Sequence, residues 1–117
     1  MRIFKTKWFS KYAKKARITD TELKEAAGQD ENFTDLGGNV YKLRFAREGK
    51  GKSGGYRFIL FFRQGDKLFY EYAYAKSDRD NISRKELRDY KDDAKEMFAY
   101  TDNQIEAYKK QCKLIEL

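Results

Sequence analysis

The sequence predicts an α+β fold: an N-terminal strand and a three-strand antiparallel meander, with two N-terminal helices and further helices at the C-terminus. Three observations carry this. The runs 40–46 (VYKLRFA), 55–63 (GYRFILFFR) and 67–75 (KLFYEYAYA) are rich in aromatic and β-branched residues, and their connections are too short for helical crossovers. Three Ser/Thr-x-x-Glu/Gln patterns mark helix starts, one before these runs and two after them. Nine Phe, nine Tyr and one Trp can fill a core in 117 residues although 38% of the chain is charged. A chain of this length makes one domain, 1–117.

In order, Arg-Ile-Phe-Lys-Thr at 2–6 alternates as a short strand. From Lys7 to Ala16, the positions Trp8, Phe9, Tyr12, Ala13 and Ala16 follow helical spacing with lysines between them. An acid-free amphipathic start also fits a transit peptide or a membrane-surface helix, but core packing accounts better for the aromatics. Thr19-Asp-Thr-Glu22 caps a second helix that stops at Gly28, and Asn32–Asn39 reads as a loop. Gln64-Gly65-Asp66 turns between the last two long strands. Ser83-Arg-Lys-Glu86 opens a helix whose face carries Leu87, Tyr90, Ala94, Met97 and Phe98. Thr101-Asp-Asn-Gln104 opens another, with Ile105, Tyr108 and Cys112, and 113–117 is extended. This order places the helices on one face of the sheet.

The single Cys112 forms no internal disulfide and supports no zinc framework, so it reads as a buried structural thiol in a reducing compartment. No run is long and apolar enough to span a membrane, and the chain reads as cytoplasmic. The net charge of +7 is unevenly spread. Residues 1–17 hold seven bases and no acid, and 42–63 hold seven bases and one acid. Between them, 18–41 hold one base and six acids. Two acid-poor runs suggest a cationic face for a polyanion.

Chemistry is then bounded by exclusion. Ala46, Gly51, Lys52 and Ser53 fit a relaxed phosphate-loop pattern, but a strand follows where that motif needs a helix N-terminus. Histidine is absent, which removes His-based triads and His/carboxylate metal sites. Asp78, Asp80, Asp89, Asp92 and Asp93 alternate with bases and read as a solvated surface. The cations remain. Period-two alternation puts Lys42 and Arg44 on one strand face, with Arg57 near the start of the next strand and Lys76 just past the last. Lys50 and Lys52 stand between glycines that would let them fold over the others. Such a cluster could cleave RNA without metal: the 2′-hydroxyl attacks, arginine stabilises the phosphorane, and a lysine crowded by cations can accept a proton. Backbone binding alone would need the same charges.

The stretch YKLRFAREGKGKSGGYRFILFF, followed by a strand and AKSDRDNI, resembles the RelE/ParE toxin superfamily, above all its HigB-type branch with a K-G-K-x-G-G-x-R loop. The resemblance spans about 36–90 and implies a RelE-like toxin with its core at about 1–98 and an extension at about 101–117. It also implies a type II toxin-antitoxin system: a cognate antitoxin, expected to be a small helix-turn-helix protein, and cleavage of mRNA on the ribosome that inhibits translation. Carried over by position, the catalytic set is Lys42, Arg44, Arg57 and Lys76, and Lys50, Lys52, Arg47 and Arg79 bind RNA phosphates. No metal and no cofactor is implied. Well-known RelE enzymes carry an arginine after the strand-end lysine and a tyrosine a few residues later; this chain has Ser77 and about Ser83 there, which leaves the general base and acid unassigned. A ParE-like poison of DNA gyrase is the alternative toxin. A non-catalytic RNA-binding module, stacking bases on Tyr41, Tyr56, Tyr70 or Tyr72, is the alternative without chemistry.

Overall fold

Phe58, Ile59, Leu60, Phe61 and Phe62 form an unbroken apolar run, and such a run stays dry only when both faces of its strand are covered. In the computed structural model, which describes residues 1–46 and 55–117, that is what happens. Expectations for Arg47, Lys50, Lys52 and the glycine-rich loop lie outside the described residues. The order is β1 (Arg2–Thr6), α1 (Lys7–Ala16), α2 (Asp20–Ala27), β2 (Phe33–Asp35), β3 (Val40–Phe45), β4 (Tyr56–Phe62), β5 (Lys67–Ala75), α3 (Arg84–Phe98), α4 (Asp102–Lys110) and β6 (Leu114–Glu116). One sheet runs β2-β3-β4-β5-β1-β6. All pairings are antiparallel except β1 with β5, which is parallel.

The helices do not share one face, contrary to the expectation from element order. Phe58, Leu60 and Phe62 pack with Phe9, Ala13 and Leu23 of α1 and α2. Ile59 and Phe61 point the other way, into a second core with Ala94 and Met97 of α3 and Ile105 of α4. The helices start where the sequence places them. Thr6 Oγ accepts the Phe9 N–H at the head of α1, and full capping boxes at Thr19, Ser83 and Thr101 open the other three.

Three further expectations are corrected. The segment 32–39 is not all loop: β2 pairs with β3, joined by Gly37, Gly38 and Asn39 at φ 88°, 62° and 64°. Three successive left-handed residues make this turn, which glycine permits without a side-chain clash. Trp8 is not core: it lies 46% exposed against Tyr12 and Tyr72, whereas Phe9 beside it is fully buried. Cys112 is exposed, in a left-handed turn after α4 (φ 58°). The C-terminal segment is tied to the first strand, since β6 pairs with β1 and Glu116 accepts from both Arg2 and Lys109 at 2.9 and 2.8 Å.

One irregularity decides what faces the cations. Ile59 pairs with Tyr72, but Leu60 pairs with Tyr70, so Glu71 is an extra residue in β5. Leu68 and Tyr70 face α1 and α2 before the bulge. After it the parity is inverted: Ala73 faces α1 and α2, while Tyr72 joins the α3 side.

Candidate functional site: a cationic row across the central strands

Strand register brings the predicted cations together. Arg44 of β3 pairs with Arg57 of β4, and Arg57 pairs with Tyr74 of β5. In the next row Lys42 pairs with Ile59, and Ile59 with Tyr72. Ile59 belongs to the α3-side core, so strand alternation places Lys42, Arg44, Arg57, Tyr72 and Tyr74 on that face. The bulge at Glu71 is what turns the two tyrosines toward the arginines.

Beyond Leu43 strand β2 ends, and the open flank of β3 borders a cleft of about 830 Å³. Lys42, Arg44, Arg57 and Asp80 line it together with Glu22 and Glu25 of α2, which packs on the other face of the sheet, so the cleft wraps the edge of β3. Arg57 is 9% exposed, and the only side-chain bond it makes among the described residues runs from Nη1 to the carbonyl of its neighbour Tyr56, at 3.2 Å. No carboxylate among the described residues lies within ion-pair distance of Lys42, Arg44 or Arg57. Like charges placed opposite each other across strands repel. An anion seated between them removes that repulsion, so the row is electrostatically suited to a phosphate.

Two other predicted residues stand apart. Lys76 is exposed beyond the end of β5, outside the residues lining the cleft, with its backbone N–H bonded to the Gly55 carbonyl at 3.1 Å. Arg79 is engaged as a clasp. Its guanidinium donates to both Glu86 oxygens at 2.6 and 3.1 Å, to the Asn81 carbonyl, and to the Tyr72 hydroxyl at 3.3 Å. This ties the turn after β5 to the start of α3. The Arg79 bonds, helped by the Ser83 N–H, hold the Glu86 carboxyl down at about 2. A phosphate on Arg79 would have to displace these partners.

Sequence reasoning missed Glu22, Glu25 and Asp80 as cleft residues, and it missed Tyr74. In the sequence Asp80 is one of several carboxylates that read as a solvated surface. Among the described residues no group of three or more His, Cys, Asp or Glu is arranged to hold a metal, and no helix is long and apolar enough to cross a membrane. The tyrosines considered as stacking platforms are packed instead. Tyr70 is fully buried and donates to the Leu23 carbonyl at 2.6 Å, and Tyr41, Tyr56 and Tyr72 lie against the two cores.

Four helices on a six-stranded, mostly antiparallel open sheet with a cationic cleft define a small basic α+β protein with a RelE-like fold. The chain belongs to the RelE toxin family: the family described as RelE toxin of RelE / RelB toxin-antitoxin system matches residues 1–117. It is the toxin of a toxin-antitoxin system, and its family implies a cognate antitoxin as partner. No curated protein matches the chain at a significant level.

Proposed function

We propose that the protein is a ribosome-dependent, metal-independent mRNA endoribonuclease of the HigB-type branch, which inhibits translation in the cytoplasm and is neutralised by a small helix-turn-helix antitoxin. The whole chain acts as one toxin unit, because α4 and β6 contribute Ile105 and Leu114 to the core behind the site. The observation that carries the reading is the Arg44–Arg57 row, two arginines directly opposed across the strand pair, both lining the cleft and neither with a carboxylate partner among the described residues.

In this reading the scissile phosphate sits over the row. The RNA 2′-oxygen forms a bond to phosphorus and the bond to the 5′-oxygen breaks, leaving a 2′,3′-cyclic phosphate and a 5′-hydroxyl. The proton of the 2′-hydroxyl passes to a base, and another is given to the departing oxygen. Arg57 and Arg44 meet the charge that develops on the phosphorane. Lys42, as the ammonium, holds a flanking phosphate, and the carboxylates Glu22, Glu25 and Asp80 are the proton-accepting groups that line the cleft.

Induction without antitoxin, followed by pulse labelling, tests the proposal. Protein synthesis should fall before DNA synthesis, with mRNA fragments ending in cyclic phosphate. Replication stopping first, with mRNA intact, would replace this reading by gyrase poisoning.

A further inference from the structure

One buried side-chain polar atom among the described residues lacks a hydrogen-bond partner: the hydroxyl of Tyr74. The residue is only 4% exposed, and no protein group among the described residues accepts from or donates to its hydroxyl. Buried hydroxyls are almost always paired, and an orphan in a native structure marks a site where a partner is missing or arrives later. Its position is specific. Tyr74 stands directly across the strand pair from Arg57, the most buried cation of the cleft. The Arg79 guanidinium covers its ring at 5.4 Å, fixing the phenol from the other side. Without the extra residue Glu71, strand parity would aim Tyr74 at α1 and α2 instead. The chain departs from a local irregularity-free strand to put this hydroxyl here.

We propose that Tyr74, which stands behind Arg57 and does not itself line the cleft, becomes a further catalytic residue when RNA binds, its phenol hydroxyl donating a hydrogen bond to the phosphate held by Arg57. This rests on the RNA-cleaving reading above. Tyr74 and Arg57 are direct cross-strand partners, so a phosphate that engages the guanidinium lies next to the phenol. The donor is the neutral phenol: burial pushes Tyr74 above the ordinary tyrosine range, while the Arg57 and Arg79 charges oppose that rise. At neutral pH the proton is therefore in place. The hydroxyl can strengthen its bond as negative charge grows on the phosphorane, an interaction made fully only in the transition state.

Tyr74→Phe tests this, because it removes the oxygen and keeps the ring. Single-turnover cleavage of ribosome-bound mRNA should fall about ten- to a hundredfold at saturating ribosome, with the half-saturation concentration unchanged. The melting temperature should stay level or rise, since an unpaired buried hydroxyl is lost. A Phe variant that cleaves at the wild-type rate overturns the proposal. So does a rate loss that comes with a melting point several degrees lower, which would mean a structural role. A second readout separates this claim from the nuclease reading: ¹³Cζ-labelled tyrosine NMR during titration with a 2′-O-methyl oligoribonucleotide. If wild type leaves mRNA intact but the Tyr74 signal moves on titration, and not in Arg57→Met, the phosphate contact stands and the nuclease reading falls. A Tyr74 signal that never moves overturns the contact.

Discussion

Arg57→Met should change stability and activity in opposite directions, and the signs follow from its surroundings. Arg57 is 9% exposed, directly opposite Arg44, with one hydrogen bond to a neighbouring carbonyl and no carboxylate within reach among the described residues. Like charges directly opposed across a strand pair are destabilising, by up to about 1 kcal/mol. Because Arg44 is exposed, solvent and salt keep the repulsion within about 1 kcal/mol. Methionine keeps an unbranched stem and removes the charge, so the fold should gain about 1 kcal/mol, or about 4 °C in melting temperature. Catalysis should move the other way. Losing the buried guanidinium removes about 3–4 kcal/mol of phosphorane stabilisation, a fall of about 10²–10³ in rate. Thermal melts followed by circular dichroism, beside single-turnover cleavage of ribosome-bound mRNA, read both quantities on one preparation. A Met variant that is several degrees less stable would show that Arg57 holds the strand together. One that cleaves at the wild-type rate would remove it from the site.

Other substitutions probe the frame around the cleft. Burial, with the Asp93 carboxylate adding to it, pushes Glu71 up to about 7 from an ordinary 4.5, so its stabilising contribution is present below 4.5 and lost as pH rises through about 7. Glu71→Gln should therefore raise stability by about 2 kcal/mol at pH 8 and leave it unchanged at pH 4, as urea melts at the two pH values will show. Glu86 behaves oppositely: held at about 2 by Arg79, it stabilises above 4.5, and that advantage disappears as pH falls through about 2. Glu86→Gln should cost about 1 kcal/mol at pH 7, limited by the pair's partial exposure, and nothing near pH 2. Tyr70→Phe loses the 2.6 Å bond to the Leu23 carbonyl and should lower the melting temperature by about 4–8 °C, seen by scanning calorimetry, with cleavage unaffected.

What could be read from the residues was what repeats with a local period. The spacing of Phe9, Tyr12, Ala13 and Ala16, and three capping boxes, placed the helices to within a residue or two. Alternation in 40–45 put Lys42 and Arg44 on one side, and the short connections made Arg57 their neighbour. The unbroken run Phe58–Phe62 also held the signal that both sheet faces are covered, although element order suggested otherwise. Non-local facts were not legible. Strand β2 is three residues long, too short to show a period. The bulge at Glu71 shifts parity by one, and a period-two reading of 67–75 therefore sends Tyr74 to the wrong face. Glu22 and Glu25 reach the cleft only because α2 packs beside the open flank of β3, which no pattern in 20–27 announces.

The distribution of unfavourable features argues for the site independently of any likeness to other toxins. At the β1–β6 side of the sheet, charges are matched: Arg2 and Lys109 meet Glu116, and the bonds from Arg2 first and Lys109 next hold that carboxyl at about 2 although burial opposes them. At the upper end of β4 and β5, by contrast, two arginines oppose each other, a phenol hydroxyl is buried without a partner, and a carboxyl at a bulge is pushed up to about 7. Each lowers stability, and apolar residues at these positions would have folded at least as well. Strain of this kind persists where the rest of the fold over-determines it, and it gathers where a ligand will relieve it. A phosphate on the Arg44–Arg57–Tyr74 row would satisfy the cations and the hydroxyl in one step. The same residues that make the free protein less stable than it could be are therefore the ones that RNA should stabilise most.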